Sequence, residues 1–198
     1  FRIIMILVTH PVGNQNVRNL LKVLDANGSL HSFHTSLSYQ SNFFNKLLPK
    51  AIEEQLSRRS FPSVEFNKIK TYPIFDLSRL IANKTHTRKL LSLFSIELSN
   101  ENLYRYIDRK VAAYIVDISG ITSIYGYDNK CLNTFRMAKK IGGIRLFYEA
   151  AFGCPVYIQE LLLEEKELSP RWSSSIPLMS NDSINIQVEE LFLADNVI

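Results

Sequence analysis

Three short stretches of the chain carry residues whose types and spacing suit chemistry at the end of a strand. The first reads Thr9-His10-Pro11-Val12-Gly13-Asn14-Gln15-Asn16. It follows a continuous apolar run over 3–8 and precedes a helical pattern, so it joins a buried strand to a helix N-terminus. Its glycine lets backbone approach a ligand closely, and the helix N-terminus behind it favours anions. A single glycine does not make a dinucleotide fingerprint, and the Gly-Lys-Ser/Thr of a nucleotide phosphate loop does not occur. The second stretch, Gly126-Tyr127-Asp128-Asn129, follows Tyr125, and the third begins at Glu149 after Phe147-Tyr148. A carboxylate at the carboxyl end of a parallel strand is where an active-site group belongs, and Glu149 reads either that way or as an ordinary strand-end acid. His10 carries the same two readings, ligand-facing or structural.

The elements that position these stretches follow from periodicity. Asn16 is placed to cap a helix with Val17, Leu20, Leu21 and Leu24 on one face and Gly28 just past its end. A strand over 30–35 then completes a β-α-β unit, whose right-handed crossover implies a parallel sheet. Amphipathic helices are expected over 42–59 and 76–95, with a short strand over 64–70 between them. Leu103, Ile107, Val111 and Tyr114 predict a helix under the sheet, broken by Gly120 and followed by a strand over 121–125. Asn129 caps the next predicted helix, with Leu132, Phe135, Ala138 and Ile141 inward and Gly142-Gly143 at its end. A strand over 144–148 and helices over 157–168 and 184–193 complete the order. The closing Ala194-Asp195-Asn196-Val197-Ile198 reads as the opening of another buried strand, as in a fragment of something longer. Strands alternating with helices predict one doubly wound α/β domain over 1–198, mostly parallel, with helices on both faces. Ligands of such sheets bind outside the carboxyl ends of the strands, near the point where strand order reverses, which selects the three stretches above.

Composition narrows the classes. With 198 residues and 46% hydrophobic content, the chain is long enough for one well-filled core or at most two small ones. The run over 3–8 is far short of the roughly 20 apolar residues of a membrane span. Cys131 and Cys154 lie far apart without CxxC spacing or a histidine pair, which predicts no disulfide, no zinc and a reducing cytoplasm. Residues 46–89 hold ten Lys/Arg against four Asp/Glu, whereas 149–198 hold two against nine. The basic middle is either a set of solvated helix faces or a surface for anionic partners. Phe43, Phe44, Leu47, Leu48, Leu90, Leu91 and Phe94 lie beside Lys46, Lys50, Arg58, Arg59, Arg88 and Lys89, a pattern that also suits an anionic membrane surface. No helix-turn-helix or RNP pattern accompanies these cations, so nucleic acid is not an expected partner.

Several of these strings, taken in order, resemble one family. They are Thr9 through Arg18, Ser32-Phe33-His34-Thr35-Ser36, Tyr125-Gly126-Tyr127-Asp128 and Leu132-Asn133-Thr134-Phe135-Arg136-Met137-Ala138-Lys139. Phe147-Tyr148-Glu149, Glu164-Glu165, Pro170-Arg171-Trp172, Glu189-Glu190-Leu191 and Ala194-Asp195 continue the series. Together they are similar to the amino-terminal half of the retaining, GT-B-fold enzymes of glycosyltransferase family four. Val12 departs from that pattern, where a small polar residue is commoner, as does Ala150-Ala151-Phe152 after Glu149. The resemblance implies two Rossmann-like domains about a cleft, with this chain on the acceptor side and a donor-binding domain following it. It implies transfer of a sugar, with retention, from a nucleotide-sugar donor to a glycan or lipid-linked glycan, with no metal and no cofactor. By the same resemblance Gly13, Asn14 and Arg18 belong to a loop that closes over the donor phosphates. Glu149 orients the sugar or the acceptor hydroxyl with His10 nearby, and Tyr125, Tyr127 and Asp128 line the acceptor. Cysteine usage gives the cytoplasm as location, and peripheral attachment to the inner face of the membrane is one of the two readings of the basic helices. The competing reading is a non-catalytic module that binds a glycan or lipid-linked sugar.

Overall fold

The computed structural model describes residues 4–39, 57–76, 78 and 99–198. Both basic helices expected over 42–59 and 76–95 fall outside these residues apart from 57–59, 76 and 78, and with them the membrane-facing pattern.

The first strand, β1 (Ile6–Thr9), is short because only its apolar stretch is enclosed, and Leu7 and Val8 have no exposed surface. Helix α1 (Gln15–Ala26) follows. Its cap is Asn14 rather than Asn16, for the Asn14 side chain accepts the Val17 amide at 2.9 Å. Gly28, at φ +66°, turns the chain into β2 (Leu30–Thr35). The strand expected over 64–70 is instead a 3-10 turn at Phe66–Lys68 leading into β3 (Ile69–Thr71). The long helix α2 (Asn100–Asp117) buries Leu103, Ile107, Val111 and Ile115 at helical spacing. It leads to β4 (Ser123–Tyr127), α3 (Leu132–Ile141) and β5 (Arg145–Glu149). Helices α4 (Pro155–Leu168) and α5 (Asn181–Leu193) precede a two-residue strand β6 (Asn196–Val197).

All pairings are parallel, in the order β3-β2-β1-β4-β5-β6. The chain runs outward from β1 in one direction, then restarts at β4 on the other side, which makes the β1–β4 boundary the switch point. Side chains alternate across the strands and divide the core into two. Leu7, Ile124, Leu146 and Tyr148 face α2, α3 and the end of α5. Val8 and Phe33 face α1 together with Phe61 and Val64. Helices on both faces of a parallel sheet define a doubly wound, Rossmann-like α/β fold.

Two local readings need correction. Asn129 does not cap α3; it sits at φ +58° and donates its backbone N–H to Glu190 at 2.7 Å. The cap comes from another helix: buried Asp108 of α2 accepts the Asn133 and Thr134 amides at 2.7 and 2.9 Å. The closing residues form an edge strand rather than a buried one, with Val197 and Ile198 more than half exposed. No helix among the described residues is long and apolar enough to cross a membrane.

Candidate functional site

The pleat decides which strand-end side chains meet. Tyr125 pairs with Phe147 and Tyr127 with Glu149, so Tyr125, Tyr127 and Glu149 share the face covered by α1. There the Tyr125 hydroxyl donates to Glu149 Oε2 at 2.6 Å, and Asn16 Nδ2 reaches Oε1 at 3.5 Å. Burial, reinforced by that hydrogen bond to Glu149, holds the Tyr125 phenol well above the ordinary tyrosine range, so Tyr125 remains a neutral donor. The carboxylate is thus pinned at one oxygen and loosely held at the other. Its second oxygen can accept from a ligand hydroxyl.

His10 stands at the switch point, at the end of β1. Its ring meets Tyr127 edge-on at 4.6 Å, bridging the loops after β1 and β4. Nδ1 accepts the backbone N–H groups of Gly13 at 2.7 Å and Val12 at 3.2 Å. That arrangement leaves the ring proton on Nε2. Burial first, then the nearby charges of Lys130 and Arg59, lower its pKa to about 3. His10 is therefore a neutral donor with a fixed tautomer, suited to holding a ligand oxygen rather than to taking a proton. The Tyr127 phenol, raised mainly by burial and then by Glu149, contacts the Asn14 side chain.

Other predicted residues face elsewhere. Gly13, at φ +63°, is occupied from above: an added Cβ would stand 2.7 Å from Cζ of Phe61. Arg18 donates from Nε to the Gly13 carbonyl at 3.1 Å, from Nη2 to the Arg58 carbonyl at 2.6 Å, and from Nη1 to the Ser60 carbonyl. Its guanidinium also lies 4.5 Å over the Phe61 ring. The anion-binding features of this loop are engaged by the chain's own residues 58–61. Asp128 turns to the opposite face, where it accepts from the Tyr148 hydroxyl at 2.8 Å. Gly126 lies inside β4 rather than in the loop, in a space that Cys131 Sγ closes.

The structure therefore gathers His10, Asn14, Tyr125, Tyr127 and Glu149, and draws Gly13, Arg18 and Asp128 into packing. Sequence reasoning missed Asn16 as a partner of Glu149, and Phe61 and Lys130 altogether. Asn16 was legible in principle, because the first turn of α1 overhangs the strand ends. Phe61 reaches the site through contacts that no local spacing encodes, whereas Lys130 lies only three residues after Tyr127 and was in principle legible. Among the described residues no group of three or more His, Cys, Asp or Glu is placed to hold a metal ion. No family model matches the chain, and no curated protein or solved structure matches it.

Proposed function

We propose that the chain is the acceptor-side domain of a retaining, GT-B-fold glycosyltransferase, one that presents the hydroxyl of a glycan or lipid-linked glycan to a nucleotide-sugar donor. The observation that carries this reading is Glu149, pinned by Tyr125 and faced by Asn16 across the switch point. A fixed carboxylate beside the neutral donors Tyr125 and Asn16, with the Lys130 ammonium 4.5 Å over the Tyr127 ring, suits a polyhydroxylated ligand. One ligand hydroxyl can give a hydrogen bond to the carboxylate, and the single Nε2–H of His10 can donate to one ligand oxygen. An aromatic wall from Tyr127 favours the same class. In this reading Glu149 orients the acceptor oxygen and Tyr125 fixes the carboxylate rotamer. Rate then comes mainly from positioning, completed when a donor-binding domain closes over the site.

One observation favours the non-catalytic alternative. Phe61 fills the space at Gly13, and Arg18 is bound to three carbonyls, so this loop offers a donor phosphate little without rearrangement. Titration of the chain with neutral oligosaccharides, followed by NMR, tests the shared core of both readings. Weak saturable binding that shifts Tyr125 and Tyr127 is expected, reduced about tenfold in Glu149→Gln without a change in melting temperature. No binding of any neutral glycan, or tight binding of a nucleotide sugar by this chain alone, overturns the acceptor assignment. Sugar transfer when a donor domain is supplied separates the enzyme from the binding module.

A further inference from the structure

A recess of about 420 Å³ lies on the other face of the sheet, between α2, the loop after β4 and α5. None of His10, Asn14, Asn16, Tyr125, Tyr127 or Glu149 lines it. Its charges are unequally committed. Asp108 accepts from Asn133 and Thr134, through backbone and side chain alike. Glu190 accepts the amides of Asn129 and Cys131 at 2.7 and 2.8 Å. Glu189 holds Arg136 in a two-pronged pair at 2.5 and 2.6 Å. The cations are freer. Arg105 and Arg109, one turn apart on α2 and exposed, form no ion pair with any described residue. Lys130 Nζ donates to the backbone carbonyl of Asp128 at 2.6 Å and lies against the rings of Tyr104 and Tyr127, at 4.9 and 4.5 Å. Arg105, Arg109 and Lys130 thus have no carboxylate within ion-pair distance among the described residues. Asp128, Glu190 and Glu149 nonetheless lie near enough to Lys130 to favour its charged form, and Asp182 is an exposed acid of the same recess.

We infer that this recess binds the phosphate group of a small anionic ligand, held by Arg105, Arg109 and Lys130. Two planar guanidinium forks and one ammonium can together engage three oxygens, which a phosphate presents and a carboxylate does not. The volume leaves room for an organic body beside the phosphate, along the Tyr104 ring. Burial lowers the Lys130 pKa, so an arriving anion restores to its ammonium some of the stabilisation that desolvation removes.

Calorimetric titration of the chain at low ionic strength, with inorganic phosphate and with phenyl phosphate, tests the inference. Saturable one-to-one binding is expected. Arg105→Ala/Arg109→Ala should weaken it by about tenfold or more, with the melting temperature unchanged because both side chains are exposed. Lys130→Met should weaken it likewise. Removing the same amount of charge elsewhere, in Lys22→Ala/Lys140→Ala, should leave affinity unaltered. Tighter binding of phenyl phosphate identifies an organic phosphate as the ligand, and equal binding identifies the free ion. Absence of saturable binding, or an equal loss in the Lys22/Lys140 variant, overturns the site.

Discussion

With Nδ1 of His10 accepting from Val12 and Gly13, protonating the ring would set a donor against two donors. His34 has the Tyr72 and Ser32 hydroxyls against its two nitrogens, which could accept from a charged ring, and its pKa is also lowered to about 3, chiefly by burial. Unfolded, both would titrate near 6.5. Their stabilisation is therefore complete above pH 6.5 and is lost as pH falls toward 3, by up to about 1.4 kcal/mol per pH unit for each histidine. Glu190 acts in the opposite sense. Burial raises it to about 7 from 4.5, so its effect favours the folded state at low pH and fades as pH rises through that window. Urea unfolding at several pH values between 5 and 7.5 should show a shallower acid loss in His10→Asn than in the parent chain. Identical slopes would remove His10 from this account. Gly13 gives a second test at the same scale. Gly13→Ala adds a Cβ both at positive φ and against Phe61, and should cost about 2–4 kcal/mol. Pairing it with Phe61→Leu should recover part of that loss in a double-mutant cycle. If Gly13→Ala is neutral, Phe61 does not occupy the loop as described.

Arg18 joins α1 to residues 58–61 by two carbonyl contacts, to Arg58 and Ser60, and holds the Gly13 carbonyl with a third bond, a set that a single ammonium cannot reproduce. Arg18→Lys should destabilise the chain by about 1.5–3 kcal/mol and speed hydrogen exchange at Val64, whose amide bonds the Phe61 carbonyl. A variant of unchanged stability would return Arg18 to the role of a free cation. Most elements were legible beforehand because each carries its own period, as in Leu103, Ile107 and Val111 of α2 or Leu132, Phe135 and Ala138 of α3. Their ends were less so. The strand expected over 121–125 lies two residues later because the pleat, not the apolar run, sets where Tyr127 and Glu149 pair. The cap of α3 was invisible for a related reason, since Asp108 is a neighbour in space and not in sequence. At the site, Glu149 and Tyr125 could be named from their strand ends, but the engagement of Arg18 depends on a segment some 40 residues away.

At the scale of the whole molecule, packing is uneven. Helices α2 and α3 bury several residues each, whereas α4 buries only Pro155 and leaves Val156, Tyr157, Leu161 and Leu163 largely exposed. A pair of hydrogen bonds between Gln159 and Met179 ties α4 to the segment before α5. Hydrogen exchange measured by mass spectrometry should show α4 opening well before α2, α3 and the central strands, as a separate unit of lower stability. Equal protection along all these helices would contradict that. The strand order also bears on how the chain is made. The centre of the sheet joins β1 to β4, and the Met5 amide meets the Thr122 hydroxyl across 117 residues of sequence. Ribosomes add about 5–20 residues per second. During synthesis β1, once paired with β2, therefore waits on the order of ten seconds with its other edge open, until β4 emerges. An apolar strand left unpaired for that long is an opening for strands of neighbouring nascent chains. The demand for a chaperone on this chain should accordingly peak between the emergence of β2 and that of β4, and decline once Ser123–Tyr127 has cleared the exit tunnel.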